Sequence, residues 1–159
     1  MAVEDWNWRY PTELQDYAWD CAAASTAWAL SAAGLPYTEQ EVIAGLGPTR
    51  ISPTYGLLDA TGAGIVQWLD SIGVAAEHVD VASFEDLEYA AGFQPMVCGG
   101  RAWNHWTGVR MGGLAFDGVP RDFLLLANPA PGWMGIEQYM TRADVGSLGP
   151  FSAVWLTDW

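Results

Sequence analysis

Cys21, His105 and Asn128 stand in that order along a chain of 159 residues, and Gln15 lies six positions before the cysteine. These side-chain types are the parts of a thiol nucleophile. A thiol attacks as thiolate, an imidazole takes its proton, and an amide oxygen accepting the ring N–H fixes the imidazole tautomer. Attack on a carbonyl leaves an oxyanion, and losing one preorganised donor to it typically costs about 2.7–4 kcal/mol of barrier. The backbone N–H of Cys21 and the side-chain amide of Gln15 are the two candidate donors. The sequence is thus read as Cys21 nucleophile, His105 base, Asn128 orienter and Gln15 oxyanion donor. Trp103, Trp106 and Trp133 flank His105 and Asn128. With Trp19 they are read as lining a substrate groove.

The elements around these residues must bring them together. Cys21 opens an alanine-rich run reaching Ala33, helical by propensity and closed by Gly34, with Asp20 read as its N-cap. A first-turn position gives the sulfur the positive end of a helix dipole, and a neighbouring imidazolium lowers a thiol pKa further. The Asp20 carboxylate opposes this, so its side chain is read as turned into the cap. Thr38 and Glu41 form a capping-box pattern for a second helix ending near Gly45 or Gly47. Residues 47–60 read as a loop. A third helix is expected over 63–72, and a fourth after Ser83 with Gly92 closing it. Beyond Phe93 short apolar runs of strand type alternate with Gly, Asp and Pro, and they carry His105 and Asn128. The expectation is an α+β fold, with helices gathered on one side of an antiparallel sheet made by the C-terminal half. Residues 1–159 read as a single domain.

Composition narrows the partners. The net charge is −13, and all six basic residues are Arg. Such a surface repels phosphate backbones and anionic lipid, which disfavours nucleic acid and membrane-surface partners. No apolar run approaches the roughly 18 residues of a membrane span. The first residues carry early acids and no apolar segment, so they do not read as a signal peptide. A cytoplasmic protein is expected, or a secreted one if the chain is a mature fragment. Two cysteines are too few for a disulfide scaffold and lack zinc-ribbon spacing. Cys98 reads as core and His78 as solvated. No metal and no cofactor are expected. Gly62 and Gly64 mimic a phosphate loop weakly, but the chain has no lysine to complete a Walker motif.

Taken in order, Gln15, Cys21 with its helix, Gly34, the glycines before the third helix, Gly92-Phe-Gln-Pro95-Met-Val, His105-Trp-Thr-Gly-Val and Asn128-Pro129 resemble the papain-like cysteine peptidase superfamily. Within it the chain is similar to the double-glycine leader peptidase, bacteriocin-processing type, over about residues 13 to 157. The resemblance implies a papain-like fold and cleavage of a peptide or other amide substrate. Cleavage would run through an acyl-enzyme on Cys21, with His105, Asn128 and Gln15 in the roles given above and without a metal. Two positions depart from that branch. Ala22 and Ala23 stand where Gly-Pro usually follows the cysteine, and Asn128 stands where Asp is common. Two other readings stay open: a binding module that keeps the scaffold and a Trp-lined groove, and acyl transfer to an amine through the same triad.

Overall fold

The computed structural model describes residues 14–111, 123–130 and 137–158. The helices are α1 (Cys21–Ala32), α2 (Glu39–Leu46), α3 (Ala63–Ser71), α4 (Phe84–Phe93) and α5 (Arg142–Leu148). The strands are β1 (Ile51–Ser52), β2 (Gly56–Leu57), β3 (Ala75–Ala82), β4 (Met96–Gly100), β5 (His105–Met111), β6 (Phe123–Ala127), β7 (Glu137–Thr141) and β8 (Phe151–Asp158). Six strands form one antiparallel sheet in the order β3-β8-β4-β5-β6-β7, and β1 and β2 form a small hairpin. Among the described residues no helix is long and apolar enough to cross a membrane.

Strand alternation divides the core. Val97, Trp106, Ala127, Val154 and Leu156 face α1, α2 and α3. Their neighbours Met96, Cys98, Val109, Leu124, Leu126 and Ala153 face α4 and α5. Successive strand side chains point to opposite faces, so a sheet covered on both sides needs apolar residues at every central position. This explains the unbroken apolar runs of β4 and β6. It also corrects one expectation: helices cover both faces of the sheet, not one.

The first helix is apolar on all sides and almost wholly buried. Its small side chains let β5 come close. A Cβ added at Gly108 of β5 would lie 2.3 Å from Cε3 of Trp28 on α1, so only glycine admits that ring. Gly34 follows α1 with φ +79°, as a closing residue should. The Thr38–Glu41 capping box forms in full.

Four expectations are revised. The 47–60 loop holds the β1–β2 hairpin. The fourth helix runs past Gly92 to Phe93. Strand β3 comes from the helical half of the chain and joins the sheet at its edge; one-sided pairing tolerates the polar pattern of Glu77, His78 and Asp80. Asp20 precedes α1 but makes no side-chain cap, because its buried carboxylate accepts the Tyr17 N–H at 3.1 and 3.2 Å instead.

Candidate active site

The site is built where α1 begins and β5 begins. Two side chains one helical turn apart hold both backbone groups of Trp106. The Trp106 N–H donates to Cys21 Sγ at 3.4 Å, and Ser25 Oγ donates to the Trp106 carbonyl at 3.2 Å. The residue before Trp106 is His105, so this grip fixes the imidazole relative to the sulfur. A tight turn leads into it: Asn104 adopts φ +54° and its N–H donates to Gly100 O at 2.7 Å. Asparagine tolerates that left-handed backbone better than most residues do.

Asn128 follows the last residue of β6. Ala127 pairs with Gly108 across the antiparallel ladder, so the chain leaving β6 runs back toward the start of β5. There His105 Nε2 and Asn128 Oδ1 lie 2.8 Å apart. Asn128 Oδ1 also accepts the Ala130 N–H at 3.1 Å, which identifies that atom as the oxygen. An oxygen acceptor requires the proton on Nε2, and the Nδ1 lone pair is then left as the basic face. Asn128 is 1% exposed, and the Trp103 ring stands edge-on to the imidazole with centroids 4.8 Å apart. Water has little access to this hydrogen bond.

Cys21 and His105 line one cleft of about 640 Å³. Its walls come from Ala18 and Trp19, from the β1–β2 hairpin with Tyr55, and from Gly99, Gly100 and Trp106. Arg101 at the rim is tied to Asp80 of β3 by a salt bridge. Tyr55 is 78% exposed on this wall. No pattern in the sequence marked it, since a loop tyrosine carries no periodic signal. A second cavity of about 510 Å³ holds Gln15, Asp16, Tyr17 and Trp103, and Ala18, Asn104 and His105 line both. Gln15 therefore reaches the histidine side of the site and does not line the cysteine side. Its backbone N–H donates to Pro129 O at 2.9 Å and its side-chain Nε2 to Tyr17 O at 2.5 Å.

Of the four tryptophans read as groove residues, Trp19 and Trp106 line the Cys21 cleft and Trp103 the Gln15 cavity. Trp133 lies outside the described residues. Among the described residues no three His, Cys, Asp or Glu side chains gather as a metal site.

The electrostatics differ from the sequence-based expectation. Burial pushes the Cys21 thiol above its ordinary pKa, and the Trp106 and Ala22 amides oppose this without reversing it. Asp20 adds to the rise. Burial also lowers the His105 pKa, against the Asn128 hydrogen bond, which raises it. The expected depressed thiol is absent because desolvation of the charged form outweighs the first-turn amides. At neutral pH the pair rests as thiol and imidazole.

No protein-family model and no curated protein sequence matches this chain. Solved structures do. A double glycine motif protease from an AMS/PCAT transporter, determined with its leader peptide, superposes with a TM-score of 0.67 at 16% identity, over 94% of this chain and 93% of that one. The peptidase domain of Streptococcus ComA, a bifunctional ABC transporter of a quorum-sensing pathway, gives 0.69 at 19% identity, over 95% and 100%. A putative C39-like peptidase from Bacillus anthracis gives 0.64 at 12% identity, over 96% of each. The likeness runs the length of both partners, and it establishes that this chain has the α+β, papain-like fold of the double-glycine peptidase domains.

Proposed function

We propose that the protein is a cysteine peptidase or related amidase that cleaves its substrate through a thioester on Cys21. The observation that carries this reading is the link from Cys21 Sγ through Trp106 to His105 and on to Asn128. Structural neighbours described as peptidases, one of them holding a leader peptide, support a peptide as the substrate class.

The steps follow from the resting state. His105 Nδ1 removes the Cys21 proton as sulfur adds to the scissile carbonyl. The oxyanion takes the Cys21 backbone N–H, which has no partner within its own helix. Gln15 Nε2 carries a second hydrogen and supplies the other donor once it turns from Tyr17 O. Collapse breaks the C–N bond, and the imidazolium gives its proton to the departing amine. Water, deprotonated by His105, then attacks the thioester and releases a carboxylic acid and the free thiol. Asn128 Oδ1 keeps the imidazole in one tautomer throughout. The Trp19–Tyr55 wall and Trp106 line the channel beside the sulfur.

The raised thiol favours a second reading, in which the same cleft binds a peptide without cutting it. The deciding experiment offers the full chain a peptide library and looks by mass spectrometry for cleavage products and for an acyl adduct on Cys21. Cys21→Ala should abolish both. Gln15→Ala should slow turnover by about 100- to 1000-fold, the usual loss for one oxyanion donor. Saturable peptide binding with no adduct and no products would leave the binding module standing. Capture of the acyl group by an added amine would instead mark an acyl transferase.

A further inference from the structure

Glu39 is the first residue of α2, a position where a carboxylate ordinarily sits in water beside the helix N-terminus. Here it is 3% exposed. Its two carboxyl oxygens each lie 3.3 Å from the Asp16 amide, which donates to them. The same carboxyl shares a hydrogen bond with Asp20, which is itself fully buried and accepts the Tyr17 N–H. Two carboxyls joined by a hydrogen bond must hold a proton between them. The pair thus grips the backbone of residues 16 and 17, the link between Gln15 and the start of the Cys21 helix. Gln40 Nε2 adds a bond to Asp16 Oδ2 at 3.0 Å. The other anchor of this segment is the Gln15 N–H on Pro129 O, beside Asn128. Among the described residues Gln15 Oε1 is buried without a partner, so the side chain is held through this backbone and Tyr17 O.

We infer that Glu39 is a positioning residue: with its proton it bridges Asp20 to the Asp16 amide and holds the Gln15-bearing segment in the site, and on losing that proton it releases the segment. The role deepens the peptidase reading and rests on it for the part played by Gln15. Burial first, then the hydrogen bond to Asp20, push the Glu39 pKa up to about 8, against the Asp16 amide, which favours the ionised carboxyl and lowers it. The charges acting on it are Asp20 and Asp16. Of the helices packed against α2, α1 carries one ionisable side chain, Cys21, and α3 carries one, Asp70. Neither helix, nor the 14–20 segment, contains a base. Arg50 sits at the opposite end of α2, on Leu46 O. Among the described residues the charges that act on Glu39 are negative, so ionisation sets it against Asp20 and Asp16 together.

The test uses the full chain, Glu39→Gln and Glu39→Ala, across pH 6 to 9. The Glu39 carboxyl is titrated by carbon NMR, and exchange of the Asp16 and Tyr17 amides is followed. In the wild type, protection of those two amides should be lost with a midpoint near pH 8. Glu39→Gln keeps a neutral hydrogen-bonding group and should hold that protection through the range. Peptide turnover should follow the same pattern: kcat falls above the midpoint with KM unchanged, and Glu39→Gln removes this alkaline limb. Glu39→Ala should lower kcat by up to about 100-fold at every pH, the scale of a misplacement of about 1 Å in a catalytic group. A Glu39 titration in the ordinary carboxyl range near about 4.3 would overturn the proposal, as would identical amide protection in wild type and Glu39→Gln. An exchange switch in a protein that cuts no peptide would support the clamp and defeat the peptidase reading, so the two failures are distinct.

Discussion

The two cysteines lie on opposite sides of the central sheet and have opposite environments. Cys21, half-buried at the start of α1, opens onto a cleft and accepts a backbone N–H. Cys98, on β4, is fully enclosed among Met96, Val109, Leu124 and Phe151 in the α4–α5 core, and burial pushes its pKa up to about 12. Residue type alone does not make a nucleophile. What separates the two thiols is which side of the sheet each occupies and what its neighbours donate. The same contrast extends to the layers themselves. The α1 face is drawn tight around Gly108 and Trp28, while the α4 helix has room at Gly92, where an added Cβ meets nothing within 4 Å among the described residues.

The sharpest way to break this comparison is thiol labelling of the native protein. Iodoacetamide should modify Cys21 and leave Cys98 untouched until the chain unfolds. The rate at Cys21 should rise with pH through a midpoint above the ordinary thiol value of about 8.5, because burial disfavours the thiolate. Native labelling of Cys98, or a Cys21 midpoint well below the ordinary value, would remove the distinction. A smaller effect is expected from Gly108→Ala. Its new methyl must displace the Trp28 ring, at an overpacking cost of about 1–3 kcal/mol by chemical denaturation. Since α1 holds β5 through Cys21 and Ser25, the same change should also slow Cys21 labelling. The smallest effect is a gain. Gly92→Ala, in an open helical position, should stabilise the protein by about 0.4–1 kcal/mol. A loss there would mean that the α4 layer is as tightly fitted as the α1 layer.

The pH dependence of stability follows from the same burial. His105 is held neutral in the fold, so the unfolded chain binds more protons as pH drops below about 6.5, and stability falls with it. Glu39 acts in the other direction. Its raised pKa means the unfolded chain releases this proton first, so its contribution declines as pH rises from the ordinary carboxyl range to about 8.

Local rules carried far in this chain where a residue interacts with its own neighbours. Thr38 and Glu41 close a capping box within one turn, and Gly34 ends α1, because both depend only on nearby backbone. They failed where the partner was remote or the burial unforeseen. Asp20 has the sequence of a cap and became a buried acceptor for Tyr17. Glu39, in the first turn of α2 where a carboxyl ordinarily meets water, is buried instead. Strand β3 has too little apolar alternation to announce itself, and only its place at the sheet edge explains that pattern. The raised Cys21 pKa was equally hidden, since desolvation is set by atoms that arrive from β5 and the hairpin.

The sequence by itself determined the inventory: a cysteine at a helix start, a histidine and an asparagine on strands, a glutamine upstream, and an acidic chain able to bury a large core. Tertiary structure decided which of those atoms meet. Antiparallel register brings Asn128 back to His105, and a glycine-sized gap lets α1 reach Trp106. Burial then assigned the protons, because an ionisable group is governed by the dielectric and donors around it, and those come from segments far away in the chain.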